Sequence, residues 1–168
     1  MPIQALLGKP VVVNFLISGG KVIAYSWHYS EEKSMNHLRS IMKYHSLSGE
    51  LRRSPDLEEW LESNLRNVLI EGGSFELPDV MYRMREVYEE LLKLRCGETM
   101  TYSELSRRTG VRYVDMLKTL MRNPFQVLIP CHRLLTKKGT LMGFYPLGVE
   151  VKRRLLELER RSCSHREP

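Results

Sequence analysis

Proline residues enclose the segment of this chain that has the least conformational freedom. An Asn-Pro pair at 123–124 precedes the apolar run 125–129, and Pro130 closes that run directly before Cys131 and His132. A proline ring fixes one backbone dihedral and removes one hydrogen-bond donor. The run is typical of a short strand, so the sequence predicts a thiol and an imidazole held rigidly at one point.

The Cys-His pair indicates nucleophilic chemistry only if the two side chains can exchange a proton. A cysteine is mostly protonated near neutral pH and becomes a nucleophile when a base or a positive charge lies nearby. Neighbouring residues of a strand point to opposite faces, so His132 reaches Cys131 only through a bridging water or a turn at Pro130. A carboxylate would then hold the imidazole in one tautomer. The pair by itself also fits a buried thiol beside a structural histidine.

The charges of the chain divide unevenly between its two halves. The formal net charge is +6; residues 1–77 hold 8 Lys and Arg against 9 Asp and Glu, and residues 78–168 hold 18 against 11. The candidate nucleophile therefore lies in the basic half, which favours a polyanion such as nucleic acid as partner. A solvated cationic surface is the alternative interpretation.

The cysteines and histidines predict neither a disulfide nor a metal site. Cys96, Cys131 and Cys163 form no Cys-x-x-Cys pair and no even set, and this usage fits a reducing cytoplasm. The histidines of the first half, at positions 28, 37 and 45, have no cysteine nearby and are interpreted as ordinary surface or core residues. No apolar stretch approaches membrane-spanning length, and no targeting segment is expected.

The first half of the chain predicts a small unit of one sheet and two helices. Two β-rich runs, 11–17 and 21–27, flank a Ser-Gly-Gly turn and predict a hairpin. Ser34 predicts the cap of a helix over 35–46. A serine-proline pair at 54–55 predicts the start of another helix, which a Gly-Gly pair ends.

The second half is predicted to be mainly helical. A linker over 72–78 leads to a helix that starts at Asp79 and turns Met81 inward. Thr101 opens the next helix with a capping-box pattern, and a Thr-Gly-Val turn joins it to a helix over 112–121. These two helices form a helix-turn-helix candidate, although such a pair often serves only packing. A last helix spans 148–161.

We therefore expect an α+β fold. A small N-terminal sheet-plus-helix domain, residues 1–77, precedes a mainly helical C-terminal domain, residues 78–162, which carries the helix-turn-helix and the cysteine. Residues 163–168 are expected to form a polar tail.

The order of motifs in the second half resembles that of a known family. An Asn-Pro pair at 123–124, Ile-Pro-Cys-His-Arg at 129–133, Gly-Phe-Tyr at 143–145 and a charged helix at 152–159 follow one another in the chain. This order resembles the methylated-DNA–protein-cysteine methyltransferases, also called O(6)-alkylguanine-DNA alkyltransferases. The resemblance covers roughly residues 80 to 160, and the first half carries no motif that matches.

The resemblance implies DNA repair by a protein that acts once. In this family the helix-turn-helix enters the minor groove of double-stranded DNA, and the damaged guanine is flipped out of the stack. The cysteine then takes the alkyl group from the guanine O6 oxygen and keeps it as a thioether. The resemblance further implies no metal or other cofactor, a monomer, no membrane, and a cytoplasmic location, with the nucleoid as the site of action in a prokaryote.

The resemblance also implies roles for individual residues. Cys131 corresponds to the alkyl acceptor, His132 to its base through a water, and Glu159 to the carboxylate that orients the imidazole. Asn123 corresponds to the brace of the turn, and Tyr102 to a tyrosine that contacts the flipped nucleotide and donates a proton. The residues expected to contact substrate or DNA are Arg112, Val114, Val127, Arg133, Tyr145 and Lys152.

The start of the recognition helix departs from the family pattern. The family has an arginine there that replaces the flipped base in the duplex, and a count back from Asn123 without gaps puts Val114 at its position. Arg112 lies two residues earlier, about 200° away around a helix. Asp115 would repel phosphate if it faced DNA. The loop at 145–148 also departs from the family pattern. These departures bear on DNA affinity and pocket size more than on the alkyl-accepting chemistry at Cys131.

Two other functions remain open from the sequence. A non-catalytic binder of alkylated DNA would keep the pocket but replace the cysteine, which is present here. A helix-turn-helix regulator would read sequence with Cys131 as a structural residue, and such regulators usually act as dimers on paired half-sites.

Overall fold

The computed structural model describes residues 2–163 of the 168-residue chain. Its elements combine a three-stranded antiparallel sheet with helices that make up 48% of the described residues, which confirms the α+β class. In chain order they are α1 (Ile3–Leu7), β1 (Val12–Ser18), β2 (Lys21–His28), α2 (Glu31–His45), β3 (Glu50–Arg52), α3 (Pro55–Leu69), α4 (Arg85–Leu91), β4 (Met100–Thr101), α5 (Tyr102–Thr109), α6 (Tyr113–Met121), β5 (Leu134–Leu135) and α7 (Val149–Cys163).

The hairpin predicted in the first half is confirmed. Strands β1 and β2 pair from Val12↔His28 to Ser18↔Lys21, and β3 adds to the free edge of β1. Gly19 and Gly20 have positive φ angles of 58° and 76°, which a turn of this kind needs and which glycine adopts without steric cost.

The cap of α2 differs from the prediction. Ser30, four residues earlier than expected, accepts a hydrogen bond from the Lys33 amide at 3.2 Å. Ser34 lies inside the helix, fully buried, where its hydroxyl accepts from the Asn14 side chain at 2.9 Å. Two serines precede the apolar residues of this helix, and the glutamates at 31 and 32 favour Ser30 as the cap because acidic side chains stabilise the first turn. The predicted cap of α3 at Ser54 is confirmed.

The helix predicted from Asp79 is wrong in its start. Residues 70–84 contain no helix or strand, α4 begins only at Arg85, and Met81 is 93% exposed. The Arg85 guanidinium donates to the carbonyls of Pro78 and Val80 at 2.9 and 2.7 Å, so these carbonyls have a partner without a helix. Side-chain hydrogen bonds from Arg85 therefore replace the backbone hydrogen bonds of the predicted helix.

The helix-turn-helix pair is present where the sequence predicts it. Thr101 caps α5 by accepting from the Glu104 amide at 3.0 Å, and Gly110 ends the helix in a left-handed conformation with φ of 72°. Helix α7 runs to Cys163, one residue into the expected tail 163–168. The rest of that tail, residues 164–168, lies outside the described residues.

One core joins the two halves of the chain. The buried rings of Tyr25 and Trp27 on β2 belong to the same apolar cluster as Phe125, Val151 and others of the second half. Full burial of one such side chain contributes about 1.5–3 kcal/mol. The sheet therefore packs directly behind the segment that carries Cys131. The predicted domain boundary at residue 77 stays a prediction. The apolar core is continuous across that residue.

Candidate active site

A closed turn over residues 123–130 carries the site. Asn123 is fully buried; its side-chain oxygen accepts from the Phe125 amide at 2.9 Å, and its amide donates to the Ile129 carbonyl at 3.1 Å. The Ile129 amide donates to the Phe125 carbonyl at 2.8 Å. The expectation of a strand over 125–129 is therefore wrong, because these bonds fold the run back on itself. Asn123 is placed as a brace, as the resemblance implies.

Val127 shows that this turn is strained. It is fully buried and has a φ of 74°, in the left-handed region that β-branched residues rarely adopt. Such a conformation costs about 1–3 kcal/mol and persists only where the surroundings enforce it. The conformation brings the Val127 backbone amide within reach of the sulfur of Cys131, and this contact lowers the pKa of that thiol.

A single 3₁₀ turn follows Pro130 and places the next three side chains. It spans Cys131 to Arg133, and the Arg133 amide donates to the Pro130 carbonyl at 3.0 Å. The sequence left two routes open for a contact between the thiol and the imidazole, a bridging water or a turn at Pro130. The backbone does form a turn there. Cys131 is partly accessible, whereas His132 and Arg133 are buried.

His132 and Glu159 form a buried pair. The Nε2 atom of His132 lies 2.8 Å from Oε1 of Glu159, and both side chains are at most 1% exposed. Burial alone would raise the pKa of Glu159, but the adjacent His132 and Arg133 outweigh it and the net shift is downward. The ionised carboxylate accepts the Nε2 proton, which leaves the lone pair of a neutral imidazole on Nδ1. That atom is buried and has no hydrogen-bond partner among the described residues.

Arg133 lies inside the protein and neutralises Glu159. Its guanidinium donates to both carboxylate oxygens, with Nε at 3.1 and 3.0 Å, and to the carbonyls of Leu94 and Val68 at 2.8 and 3.4 Å. Its side chain is 2% exposed. In this position the Arg133 side chain does not face substrate or DNA, contrary to the expectation from the sequence. It holds the Glu159 carboxylate instead.

The local environment keeps the thiol and the imidazole in their neutral forms. Burial raises the pKa of Cys131, and hydrogen bonds from Val127 and Asn123 with the nearby charge of Lys152 offset only part of this shift. Burial also lowers the pKa of His132, and the attraction of Glu159 offsets part of that shift. The resting pair is thus a thiol beside a neutral base, and the thiolate forms only when the proton moves to the imidazole.

Lys152 is a fully buried cation of the site. Its ammonium donates to the Tyr102 hydroxyl at 2.9 Å and to the Met142 carbonyl at 3.1 Å. Burial lowers the pKa of Lys152 to about 8. Because the Tyr102 oxygen accepts from Lys152, the proton of that phenol is free to point elsewhere. Helix α7 explains the arrangement: Lys152 and Glu159 are seven residues apart, two turns, and both lie on its buried face.

The thiol of Cys131 lines a cleft of about 410 Å³. Helix α6 and a loop before α7 form its walls, and most of the surface is apolar; Tyr102 adds a hydroxyl. A volume of this size accommodates a small planar ligand. The sequence analysis named Tyr102, Cys131 and Tyr145 among the lining residues. Gly143 and Phe144 belong to the motif at 143–145, in which the sequence assigns a role only to Tyr145. The spacing of the other lining residues in the chain carries no signal, and the sequence did not predict them: Leu117, Leu120, Met121, Met142, Pro146 and Gly148.

The loop of this cleft contacts the first half of the chain. Tyr29 donates its hydroxyl proton to the Leu147 carbonyl at 2.5 Å. The His37 ring lies edge-on to Tyr145, with ring centroids 4.9 Å apart. Tyr145 itself is 47% exposed at the mouth of the cleft.

The start of α6 carries the residues that departed from the family pattern. Arg112 precedes the first turn, exposed, with its Nε 3.5 Å from the Asp115 carboxylate, and Val114 is 54% exposed. Both side chains are therefore exposed near the start of α6.

Cys96 and Cys163 form a disulfide, so the expectation of no disulfide is wrong. Their Cα atoms are 5.9 Å apart, and 67 residues separate them in the chain. A distance this long in sequence leaves no local signal, and only the fold brings α7 beside the segment before β4. Cys131 remains free. Within residues 2–163, no group of three His, Cys, Asp or Glu side chains is arranged to hold a metal ion, and no helix there is long and apolar enough to cross a membrane.

Comparison with known proteins identifies the segment that carries the site. Residues 83–161 match the family described as 6-O-methylguanine DNA methyltransferase, DNA binding domain. The matched residues are 79 of the 168 residues of the chain, and this segment is similar to that family. It includes the helix-turn-helix pair, Cys131, His132 and Glu159.

Curated relatives match a part of the chain that is similar in length to this segment. A methylated-DNA–protein-cysteine methyltransferase from Metallosphaera sedula is 44% identical over 78 residues, which are 46% of this chain and 48% of that protein. A protein of the same name from Methanothermobacter thermautotrophicus is 41% identical over 75 residues, 45% of this chain and 42% of that protein. The matched region thus spans about half the length of these relatives.

Solved structures extend the likeness of the fold to the first half. The O6-methylguanine-DNA methyltransferase from the hyperthermophilic archaeon Pyrococcus kodakaraensis matches with a TM-score of 0.67 and 23% identity over 89% of this chain and 91% of that chain. Mycobacterium tuberculosis OGT in complex with DNA matches with a TM-score of 0.51 and 28% identity over 62% of this chain and 64% of that chain.

Proposed function

We propose that this chain repairs alkylated DNA by moving an alkyl group, such as methyl, from the O6 oxygen of guanine to Cys131. The observation that carries the proposal is a single arrangement: a free thiol lines a cleft of about 410 Å³, and the next residue of the chain, His132, forms a buried pair with Glu159. The family of residues 83–161 and the names of the curated relatives support the same reaction.

The reaction begins with a proton transfer. The Cys131 proton passes through a water to Nδ1 of His132, and Glu159 stabilises the imidazolium that results. The thiolate then attacks the alkyl carbon, a carbon–sulfur bond forms, and the carbon–oxygen bond to guanine breaks. The electron pair of that bond stays on the guanine, which takes a proton from Tyr102. Lys152, hydrogen-bonded to the same phenol, stabilises the negative charge left on its oxygen.

The product explains why each molecule acts once. A thioether has no acidic proton and is a poor leaving group, so no residue of the site reverses the transfer. The enzyme is in this sense a single-turnover methylated-DNA–[protein]-cysteine S-methyltransferase. The reaction as written consumes no soluble cofactor.

The proposal assigns the approach of DNA to the helix-turn-helix. Helix α6 enters the minor groove, the alkylated guanine is flipped into the cleft, and Arg112 or Val114 fills the space in the stack. Minor-groove readout discriminates sequence poorly, which suits a protein that surveys all sequences. The protein acts as a monomer on cellular DNA, in the cytoplasm or nucleoid.

Intact-protein mass spectrometry tests the reaction. Incubation with a duplex that carries O6-methylguanine should add the mass of one methyl group to the protein, and Cys131→Ser should show no gain. Tight binding of the lesion duplex without a mass gain would instead indicate a non-catalytic binder. A preference for one DNA sequence without preference for damage would indicate a regulator.

A further inference from the structure

A second cleft, separate from the one at Cys131, is lined by four basic side chains. Arg39 and Lys43 come from α2, Arg83 from the segment before α4, and Arg122 from the end of α6; the remaining lining residues are Asn36, Ser40 and Tyr44. Among the described residues that line it, none is acidic. Its volume is about 600 Å³.

These four cations lack the partners that surface cations usually have. Within residues 2–163, none of them forms an ion pair with a carboxylate. Arg39 and Lys43 are four residues apart on one helix face, a spacing at which like charges destabilise a helix. Arg83 stacks on the Tyr44 ring at 4.8 Å. A fixed group of cations that repel one another gains stability when an anion binds between them.

A buried histidine joins the two segments that supply Arg83 and Arg122. The Arg83 amide donates to Nδ1 of His45 at 3.0 Å, so the neutral ring carries its proton on Nε2 and donates it to the Arg122 carbonyl at 2.8 Å. The Tyr88 hydroxyl, 3.1 Å from the same nitrogen, donates to the Thr119 carbonyl at 2.8 Å. The cleft is therefore preorganised by contacts in the protein interior.

The charge state of His45 fits this structural role. Burial lowers the pKa of His45 to about 4, with the nearby Arg83 charge acting in the same direction. The ring stays neutral at physiological pH and adds no fifth positive charge. It acts as a link between the two backbone segments.

The position of the cleft determines which anion it suits. Met121 lines the cleft at Cys131, and the next residue, Arg122, lines the basic cleft. Lys118 lies one turn before Arg122 on the same face of α6. The two clefts are therefore lined by adjacent residues of the chain at the end of α6, so the DNA that delivers a base to the first cleft is the anion nearest to the second.

We propose that the basic cleft of Arg39, Lys43, Arg83 and Arg122 binds the sugar–phosphate backbone of DNA beside the damaged nucleotide. The inference rests on the proposed function for its choice of anion. It assigns to the first half of the chain, through α2, a direct part in DNA binding that the helix-turn-helix alone does not supply.

Charge reversal on α2 tests the cleft. The double variant Arg39→Glu/Lys43→Glu should bind an undamaged duplex about tenfold or more weakly than the unchanged protein. Because each phosphate contact contributes about 0.9 to the slope of log affinity against log salt, the slope should fall by about 2. Lys21→Glu/Lys33→Glu is the matched control, since it makes the same change in net charge at exposed residues of the same half that do not line the cleft. It should lower the affinity less and leave the slope nearly unchanged.

Transfer to Cys131 from the free base O6-benzylguanine separates this proposal from the proposed function. The Arg39→Glu/Lys43→Glu variant should react with the free base as fast as the unchanged protein, because no phosphate is involved. If the unchanged protein fails to react with any alkylguanine, the proposed function is wrong, and the duplex-binding comparison still tests the cleft.

Two results would overturn the inference. One is equal affinity and equal salt slope for the α2 variant and its control. The other is protection of Arg39, Arg83 or Arg122 from phenylglyoxal by inorganic phosphate but not by duplex DNA at saturating concentration, which would assign the cleft to a small anion.

Discussion

At the scale of single residues, the tautomer of His132 decides what the site can do. Glu159 accepts from Nε2, and this bond leaves the basic lone pair on Nδ1. Arg133 in turn holds Glu159 ionised in a place where an isolated carboxylate would be protonated. The reactivity of Cys131 therefore depends on two residues that do not contact the cleft.

Glu159→Gln should slow alkyl transfer by about 10²–10⁴-fold, the usual contribution of a positioned base. The amide no longer enforces the tautomer with a free Nδ1, and Arg133 is left as a buried charge without its partner. The rate of carbamidomethylation of Cys131 should fall together with the rate of transfer, which a mere loss of DNA binding would not cause. Glu157→Gln, an exposed change on the same helix, is the control and should leave both rates unchanged.

The pH dependence of the rate should reflect the three shifted groups. The pKa of His132 is lowered, so protonation of the base should reduce the rate only below the usual value of 6.5. The pKa of Cys131 is raised, so the neutral pair itself persists to alkaline pH. The rate should nevertheless fall above about pH 8, where Lys152 loses the positive charge that stabilises the Tyr102 phenolate. Single-turnover rates measured from acid to alkaline pH check this. A rate that is half-maximal above pH 6.5 would contradict the assignment of His132 as a buried neutral base.

At the scale of elements, the loop before α7 is a wall of the cleft that is held in place by residues of the first half of the chain. Its Leu147 carbonyl accepts from Tyr29 and its Tyr145 ring packs on His37, both residues of the first half. His37 is in turn fixed by Gln126, whose side chain also accepts from the Trp27 indole at 2.7 Å. One network thus reaches both the loop and the turn that carries Cys131.

Tyr29→Phe should make the cleft more tolerant of large alkyl groups. Loss of one hydrogen bond of about 0.5–1.5 kcal/mol frees the loop and should raise the ratio of benzyl to methyl transfer by about two- to tenfold. Tyr82→Phe is the control: it removes a comparable phenol bond, 2.6 Å to the Ile23 carbonyl, away from the loop. Competition between O6-benzylguanine and O6-methylguanine, read by intact mass, measures the ratio. Equal ratios in the two variants would show that Tyr29 does not hold the wall.

The elements also show where sequence reasoning succeeds. Local signals predicted the hairpin, the Ser54 and Thr101 caps and the last helix, because each depends on residues within a few positions of one another. The same reasoning misplaced the start of α4, where the Arg85 side chain binds carbonyls five and seven residues back.

At the scale of the whole molecule, most of the features that could not be predicted from the sequence depend on contacts between residues that are far apart in the chain. Cys131, His132 and Glu159 were identified because the motif order resembles a family, but no pattern indicated that Arg133 would be buried against Glu159. The links from Tyr29 to Leu147 and from Cys96 to Cys163 cross 118 and 67 positions. Such pairs become neighbours only through packing, and a single sequence contains no record of them.

The disulfide should make a large contribution to the stability of the fold. It closes a loop of 67 residues, for which chain entropy gives about 4 kcal/mol. Reduction, or Cys96→Ser, should lower the Tm by on the order of 10 °C in a domain of this size. Cys131→Ser is the control and should keep the full effect of reductant on the Tm, as calorimetry with and without dithiothreitol will show.

The most direct measurement is the stoichiometry of transfer. The protein is incubated with a large excess of O6-methylguanine duplex, and the methyl gained is located by peptide mass spectrometry over time. The account predicts a plateau of one methyl per molecule, all of it on the peptide that contains Cys131, with no further demethylation of DNA after the plateau. Continued turnover, methyl on another residue, or no methyl on an intact and folded protein would contradict it.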